Sequence, residues 1–226
     1  MYCQRNDPTH RPVRLVIVDR HVLFAEGLRR LLNDCEEVEA VSVATHETEA
    51  VRQVEATDPD VVLLDPWLGG NGPFAVLRRL RDVTPETAFV FLEDEAHEVH
   101  IRLALKQQAN GFLTKSCCFS EVREAIQKAV RGRSAYCAEV GRYLLNTSRG
   151  LRFNRAAISS PLATLSPREL EIAILLAQGL SVREVAGRLE AAFSTVDNTK
   201  ARIMKKVGVH RVVDLATMVV REGLLA

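Results

Sequence analysis

Four short apolar runs, each ending on charge, constrain this chain more than any other feature. Leu15-Val-Ile-Val18 leads into Asp19 and Arg20, Val61-Val-Leu-Leu64 into Asp65, Phe89–Leu92 into Glu93, and Phe112–Thr114 into Lys115. A strand buried on both faces reads as a continuous apolar run rather than as an alternation. Val38–Val43 alternates and supplies one more strand. Helical periodicity fills the intervals at Val22–Leu32, at Glu47–Glu55 (stopping before Asp58-Pro59), through Leu80, at Val99–Gln107 and at Glu121–Val130. Five strands alternating with five helices call for a doubly wound parallel sheet, an α/β fold of (βα)5 type. Chemistry in such sheets sits beyond the carboxyl ends of the strands. One rim therefore collects Asp19, Arg20, Asp65, Glu93 and Lys115. Any one of them suits a solvated loop; four strands delivering charge to one edge point to a site.

The 226 residues allow two modest domains. The net charge is +1, but its sign is unevenly spread. Residues 1–130 hold 15 Lys+Arg against 21 Asp+Glu, hence −6, and residues 131–226 hold 15 against 8, hence +7. A basic second half suits a polyanionic partner. Apolar runs fall short of the roughly 20 residues that cross a bilayer, and the polar start, frayed over residues 1–12, does not read as a signal peptide. A cytoplasmic protein without a membrane partner is expected. The cysteines at 3, 35, 117, 118 and 137 lack metal-site spacing, and Cys117-Cys118 reads as small side chains at a strand-to-helix junction rather than as a redox pair. No nucleophile–base pair stands outside the rim, so an enzyme is not expected.

The second half has its own signature. Ser181-Val-Arg-Glu184 is a capping box opening a helix with Val185, Ala186 and Leu189 on one face. Ser194-Thr-Val-Asp197 restarts a helix that runs through Ile203 and Val207 and stops at Gly208. Upstream, Leu165-Ser-Pro-Arg-Glu-Leu170 opens another, with Ser166 as cap and Pro167 in its first position. A short amphipathic helix, a turn and a cationic helix suit the major groove of duplex DNA; the same spacing also fits a helical hairpin with a solvated charged face. On the cationic helix Asn198 suits adenine, while Lys200, Arg202, Lys205 and Lys206 suit phosphate or guanine, with Thr195 beside them. Asp197 admits two readings: favourable placement at a helix amino terminus, or an acceptor for a cytosine amino group. Arg133, Arg142, Arg149, Arg152 and Arg155, with Arg131 just before them, make Gly132–Pro161 basic; they suit a solvated linker better than phosphate contacts, and a short helix fits at Ala138–Leu145.

LSPREL, AQGLSVREVAGRL, STV and IMKKVGV together resemble the LuxR-type DNA-binding domain of the NarL/FixJ response regulators, over Leu165–Leu225. Residues 13–131 resemble the receiver domain of a two-component response regulator, through VIVDRHVLFAEGLRRLL, VVLLD and NGFLTK. The resemblance implies a receiver over 13–131, a linker over 132–161 and a small all-α helix-turn-helix domain over 162–226. It makes Asp65 the phosphoacceptor equivalent, Asp19 a magnesium ligand, Lys115 the phosphoryl partner and Phe112 the aromatic switch residue of the pocket (a packed core ring being the other reading). It also implies dimerisation through the helix at Val212–Val220, homo- or heterodimeric, and contact with RNA polymerase.

The departures change the chemistry. Arg20 stands where the family carries a second acid for magnesium, and its guanidinium can form a charge-assisted fork with Asp65 or Asp19. Glu93 stands where the family carries Thr or Ser, and its carboxylate would repel a phosphoryl group and seek Lys115 or Arg20. The Gly-rich turn Leu68–Gly72 is one residue short of the usual Met-Pro-Gly-Met-Asp-Gly. These departures predict an atypical receiver held by Arg20–Asp65 and Glu93–Lys115 pairs, with no resident metal and no cognate kinase required. Two alternatives stand beside this reading: a conventional Asp65-phosphorylated regulator, which magnesium binding at the rim would support, and a heterodimerising subunit whose own DNA binding is weakened by Asp197 in place of a usual cation.

Overall fold

The computed structural model describes residues 11–68, 75–147, 150–157 and 159–225. The expected frayed start thus falls, up to residue 10, outside the described residues, as does the Gly-rich turn after Leu68. The front half runs β1 (Val13–Val18), α1 (Val22–Asn33), β2 (Val38–Ala44), α2 (Glu47–Thr57), β3 (Val61–Leu64), α3 (Ala75–Val83), β4 (Ala88–Glu93), α4 (Glu98–Lys106), β5 (Gly111–Thr114) and α5 (Phe119–Val130). The strands pair in parallel in the order β2-β1-β3-β4-β5. β3, β4 and β5 are buried along their whole length, which is why their sequences do not alternate. The order reverses direction at β1, so the crevice for chemistry opens between the ends of β1 and β3, at Asp19 and Asp65.

The sheet then gains a strand that the sequence did not announce. β6 (Ala135–Tyr136) pairs in parallel with β5. Two residues are too few to show a period, and the strand exists because the edge of β5 would otherwise leave its backbone unpaired. Its approach is close: a Cβ on Gly111 would lie 2.6 Å from the Ala135 carbonyl oxygen and 3.1 Å from Val90 Cγ1.

Beyond β6 the chain is folded rather than merely solvated. The helix expected at Ala138–Leu145 ends early as α6 (Ala138–Gly141), and β7 (Leu144–Thr147) and β8 (Gly150–Phe153) close an antiparallel hairpin. The Tyr143 and Phe153 rings stack at 6.3 Å, and the Arg142 guanidinium lies over Tyr143. Four helices follow: α7 (Pro167–Ala177), α8 (Val182–Arg188), α9 (Phe193–Val207) and α10 (Val212–Arg221). Both capping boxes form, Ser166 with Glu169 and Ser181 with Glu184.

The halves meet on α4. Val99, buried, with Leu103 and Trp67 beside it, packs into the core of the second half against residues such as Leu162 and Leu165. A polar clasp flanks this contact. Glu98 accepts from the backbone N–H of Ser159 at 2.9 Å and of Ser160 at 3.0 Å. One helical turn on, Arg102 donates to the carbonyls of Ala163 and Leu165, the latter at 2.8 Å. Gly223, in the left-handed region at φ 62°, lets the chain end pass the His97 ring, which a Cβ would approach to 3.0 Å. A groove of about 330 Å³ remains between Arg20, Trp67 and Asp94 on one side and Val220, Arg221 and Leu225 on the other. No helix among the described residues is long and apolar enough to cross a membrane.

The backbone approach at β6 gives a direct test of the packing. Gly111→Ala should cost about 1–3 kcal/mol, because the added methyl meets backbone rather than a movable side-chain end. Urea denaturation of the full chain reads this as a lower midpoint with unchanged cooperativity.

Candidate functional site

The rim is built as strand ends deliver it, with one exchange of partners. Asp19 and Asp65 are buried to 1% and 2% exposure at the ends of β1 and β3. Two carboxylates cannot be stripped of water at such positions without a cation. Lys115, from the end of β5, supplies it: its ammonium lies 2.9 Å from Asp19 Oδ2 and 3.3 Å from Asp65 Oδ2. Phe24 offers its ring face to the same ammonium at 5.1 Å. Burial pushes the Asp65 carboxyl above the ordinary carboxylate range, against the opposing charge of Lys115 and the hydrogen bond from the Trp67 backbone. Burial alone would lower Lys115, but the bond to Asp19 and the charge of Asp65 hold it above its usual value.

Arg20 comes to this rim without forming a fork. Its Nε lies 3.6 Å from Asp65 Oδ2 and its Nη2 3.5 Å from Asp94 Oδ2, a long shared contact on the solvent side. The expected Glu93–Lys115 pair does not form. Lys115 takes Asp94 as its third acid, at 3.4 Å, and meets Glu93 only through the main chain, its N–H donating to the Glu93 carbonyl at 2.7 Å. The Glu93 side chain turns toward α4 instead, where it pairs with His100 and accepts from Trp67 Nε1 at 2.9 Å. Phe112 does not join the pocket either; it is fully buried beside Phe91, with ring centroids 6.1 Å apart.

Sequence reasoning missed His21, Asp94, Trp67 and His100. His21 follows Arg20 directly, and its Nδ1 lies 3.1 Å from Asp19 and 3.0 Å from Lys115 Nζ. The signals were faint: a single Trp two residues after Asp65, and a His seven residues beyond Glu93 on a helix. Asp19, His21 and Asp65 place one ligand atom each within 4.8 Å of one another. The receiver resemblance implies magnesium here, but the donor set does not fit it. Magnesium requires near-octahedral oxygen ligands, and the Lys115 ammonium stands among these three groups while Arg20 occupies the second acid's position.

The second half presents α9. Val196, Thr199, Ile203 and Val207 form its buried face, one residue per turn. Thr195, Asn198 and Lys205 are exposed, and Lys200 is half-buried. Lys206 and Arg202 are not free. The Lys206 ammonium reaches both carboxylate oxygens of Glu169 at 2.8 Å, and Arg202 Nε lies 3.7 Å from the same group. Glu169 is thus more than a cap: from α7 it anchors the last turns of α9. Burial would raise its carboxyl, but the bonds from Lys206 and from Ser166 draw it down to about 2. α9 begins at Phe193, so Asp197 is its fifth residue, exposed and outside the first turn. That removes the helix-terminus account of Asp197.

A receiver-type sheet with an acid–lysine rim, joined through α4 to a four-helix head with an exposed cationic helix, defines a response regulator with a DNA-reading output domain. Residues 15–127 match the response regulator receiver domain family, and residues 163–219 match the bacterial regulatory proteins of the luxR family. The response regulator UvrY of Escherichia coli is 26% identical over 94% of this chain and 95% of its own. The nitrate/nitrite response regulator protein NarL of Escherichia coli K12 is 28% identical over 94% and 97%. Among solved structures, RcsB from Salmonella enterica serovar Typhimurium, bound to promoter P1flhDC in the presence of phosphomimetic BeF3−, shares the fold with a TM-score of 0.67 at 21% identity, covering 91% and 97%. The chain belongs to the NarL/FixJ family of response regulators, as a DNA-binding transcription regulator.

Glu169 makes the head's stability depend on pH. Its carboxyl titrates near 4.5 when unfolded and near 2 when folded, so its contribution is complete above the first value and is lost as pH falls toward the second. Glu169→Gln should cost about 1–3 kcal/mol at pH 7 and flatten that acid dependence. Thermal melts between pH 7 and pH 2 check both parts.

Proposed function

We propose that this regulator controls DNA binding without ordinary phosphorylation of Asp65, and that it binds duplex DNA as a dimer in the cytoplasm. The observation that carries the first part is the Lys115 ammonium seated among Asp19, His21 and Asp65, with Arg20 in place of the second acid. A magnesium ion would have to displace that ammonium, and a phosphoryl group would bring nearly two more negative charges to a rim already holding Asp19 and Asp94. The division intended is a receiver over 13–131, a linker over 132–161 and a reading head over 162–226. Asp65 is the phosphoacceptor equivalent; Asp19, Arg20 and Lys115 are its pocket. Incubation with acetyl phosphate and magnesium should label the chain far below one phosphoryl per molecule. Stoichiometric labelling that is lost in Asp65→Ala would return the protein to the conventional switch.

Thr195, Asn198, Lys200 and Lys205 are the proposed DNA contacts, with Arg202 and Lys206 acting in part through Glu169. Support comes from the exposure of Thr195, Asn198 and Lys205, with Lys200 half-buried beside them, and from the promoter-bound state of RcsB, which shares this fold. Dimerisation is proposed through α10, whose Val213 and Val220 are 69% and 58% exposed despite being apolar. Lys205→Ala should weaken binding to any duplex and reduce the slope of log affinity against log salt by about 1. Fluorescence anisotropy over a sodium chloride series reads this. An affinity unchanged at every salt concentration would remove Lys205 from the interface.

A further inference from the structure

Glu93 does nothing in the rim that its position in the sequence suggested, and a carboxylate buried to 3% exposure calls for another account. One of its oxygens, Oε1, serves two partners on two different elements. Trp67 Nε1, from the segment after β3, donates to it at 2.9 Å, and His100, fully buried on α4, pairs with it. Trp67 is tied in turn to the rim, since its backbone N–H donates to Asp65 Oδ1 at 2.8 Å. The rings of Trp67 and His100 meet edge-on at 5.2 Å, and those of His97 and His100 at 5.3 Å. A continuous set of bonded groups therefore runs from Asp65 through Trp67, Glu93 and His100 into α4.

That helix is the one on which the DNA-reading half rests. Val99 lies in the core of the second half, Glu98 and Arg102 clasp the chain from Ser159 to Leu165, and Trp67 packs against the same core. We propose that Glu93 is a positioning residue, a catch that couples the state of the rim around Asp65 to the clasp between the two halves. Thr or Ser at the end of β4 is too short to reach Trp67 and His100 together, whereas a carboxylate spans both. The second oxygen, Oε2, finds no hydrogen-bond donor among the described residues. A half-satisfied buried carboxylate is costly, which suits a catch that can open better than a permanent core. The catch goes beyond the proposed function, because any event that moves Trp67 would release it, whether or not Asp65 carries phosphate.

Opening has a consequence for assembly. The end of α10 faces the groove, where Val220, Arg221 and Leu225 stand opposite Trp67 and Arg20. A second copy docking on α10 would compete with this closed contact, so release of α4 should favour dimeric DNA binding.

The test uses the full chain and three variants. Glu93→Gln retains a side chain long enough to bond both Trp67 and His100, and should behave as wild type. Glu93→Thr removes both bonds, and Trp67→Phe removes one N–H while keeping a ring in place. Both should show a larger radius of gyration by small-angle scattering and linker cleavage by trypsin accelerated about fivefold or more, with tighter binding to a two-half-site duplex by a similar factor. Their receiver melting should stay cooperative, which separates release of a catch from general damage. A folded Glu93→Thr chain that scatters and cleaves like wild type would overturn the proposal, as would Glu93→Gln opening to the same extent as Glu93→Thr. Should Glu93→Thr not fold, Trp67→Phe decides: wild-type scattering and cleavage there would end the proposal.

Discussion

Two buried carboxylates with one ammonium between them set the terms for the front half. Asp19 and Asp65 are fixed by the ends of neighbouring strands, and neither can be left charged in so dry a place without a partner. Lys115 meets both because β5 ends at the same rim, and its charge is held there by the acids it neutralises. With Asp94 and Arg20 included, the rim carries three acids and two bases, a net of −1. That balance is nearly closed, so a ligand of high charge of either sign would have to break pairs already made.

The strand-and-helix alternation of the front half was plain in its sequence because burial on both faces writes itself as unbroken apolar runs, and the rim followed from where those runs end. Partner choice within the rim was not. Glu93 and Lys115 end adjacent strands, and pairing them by proximity was natural. Yet their contact is between backbones, and the Glu93 side chain leaves on the other side of the sheet's edge toward His100. Which way a strand-end side chain turns depends on the helix packed beside it, and that is tertiary information. Phe112 shows the same limit: an aromatic at a strand centre is buried by the sheet whatever role a family assigns to its position. β6 escaped because two residues show no period, and the β7–β8 hairpin because its four-residue strands are largely exposed and carry no unbroken apolar run.

In the reading head the local rules were sufficient for the caps and insufficient for the cations. Ser166 and Ser181 cap as their spacing requires, because a capping box is closed within four residues. Glu169 and Lys206 lie 37 residues apart, and nothing local links them. Once linked, one carboxylate serves two ends at once: it closes the amino terminus of α7 and fixes the last turn of α9. Counting cations along α9 therefore overstates those available to phosphate, since Lys206 and Arg202 are partly spent inside the protein.

The two halves share α4, and this decides how a signal could cross. A helix whose apolar residue Val99 belongs to the neighbour's core cannot move without disturbing that core. Glu98 and Arg102 reinforce the contact by satisfying backbone donors and acceptors of the segment entering the head, groups that would otherwise need water. A partial separation of this interface would leave the same polar groups neither bonded nor solvated, so a slight opening is costly. A small displacement at one end of α4 is therefore enough to matter at the other. The His100 pairing to Glu93 places that end within two residues of the clasp itself, closer than the rim that is supposed to command it.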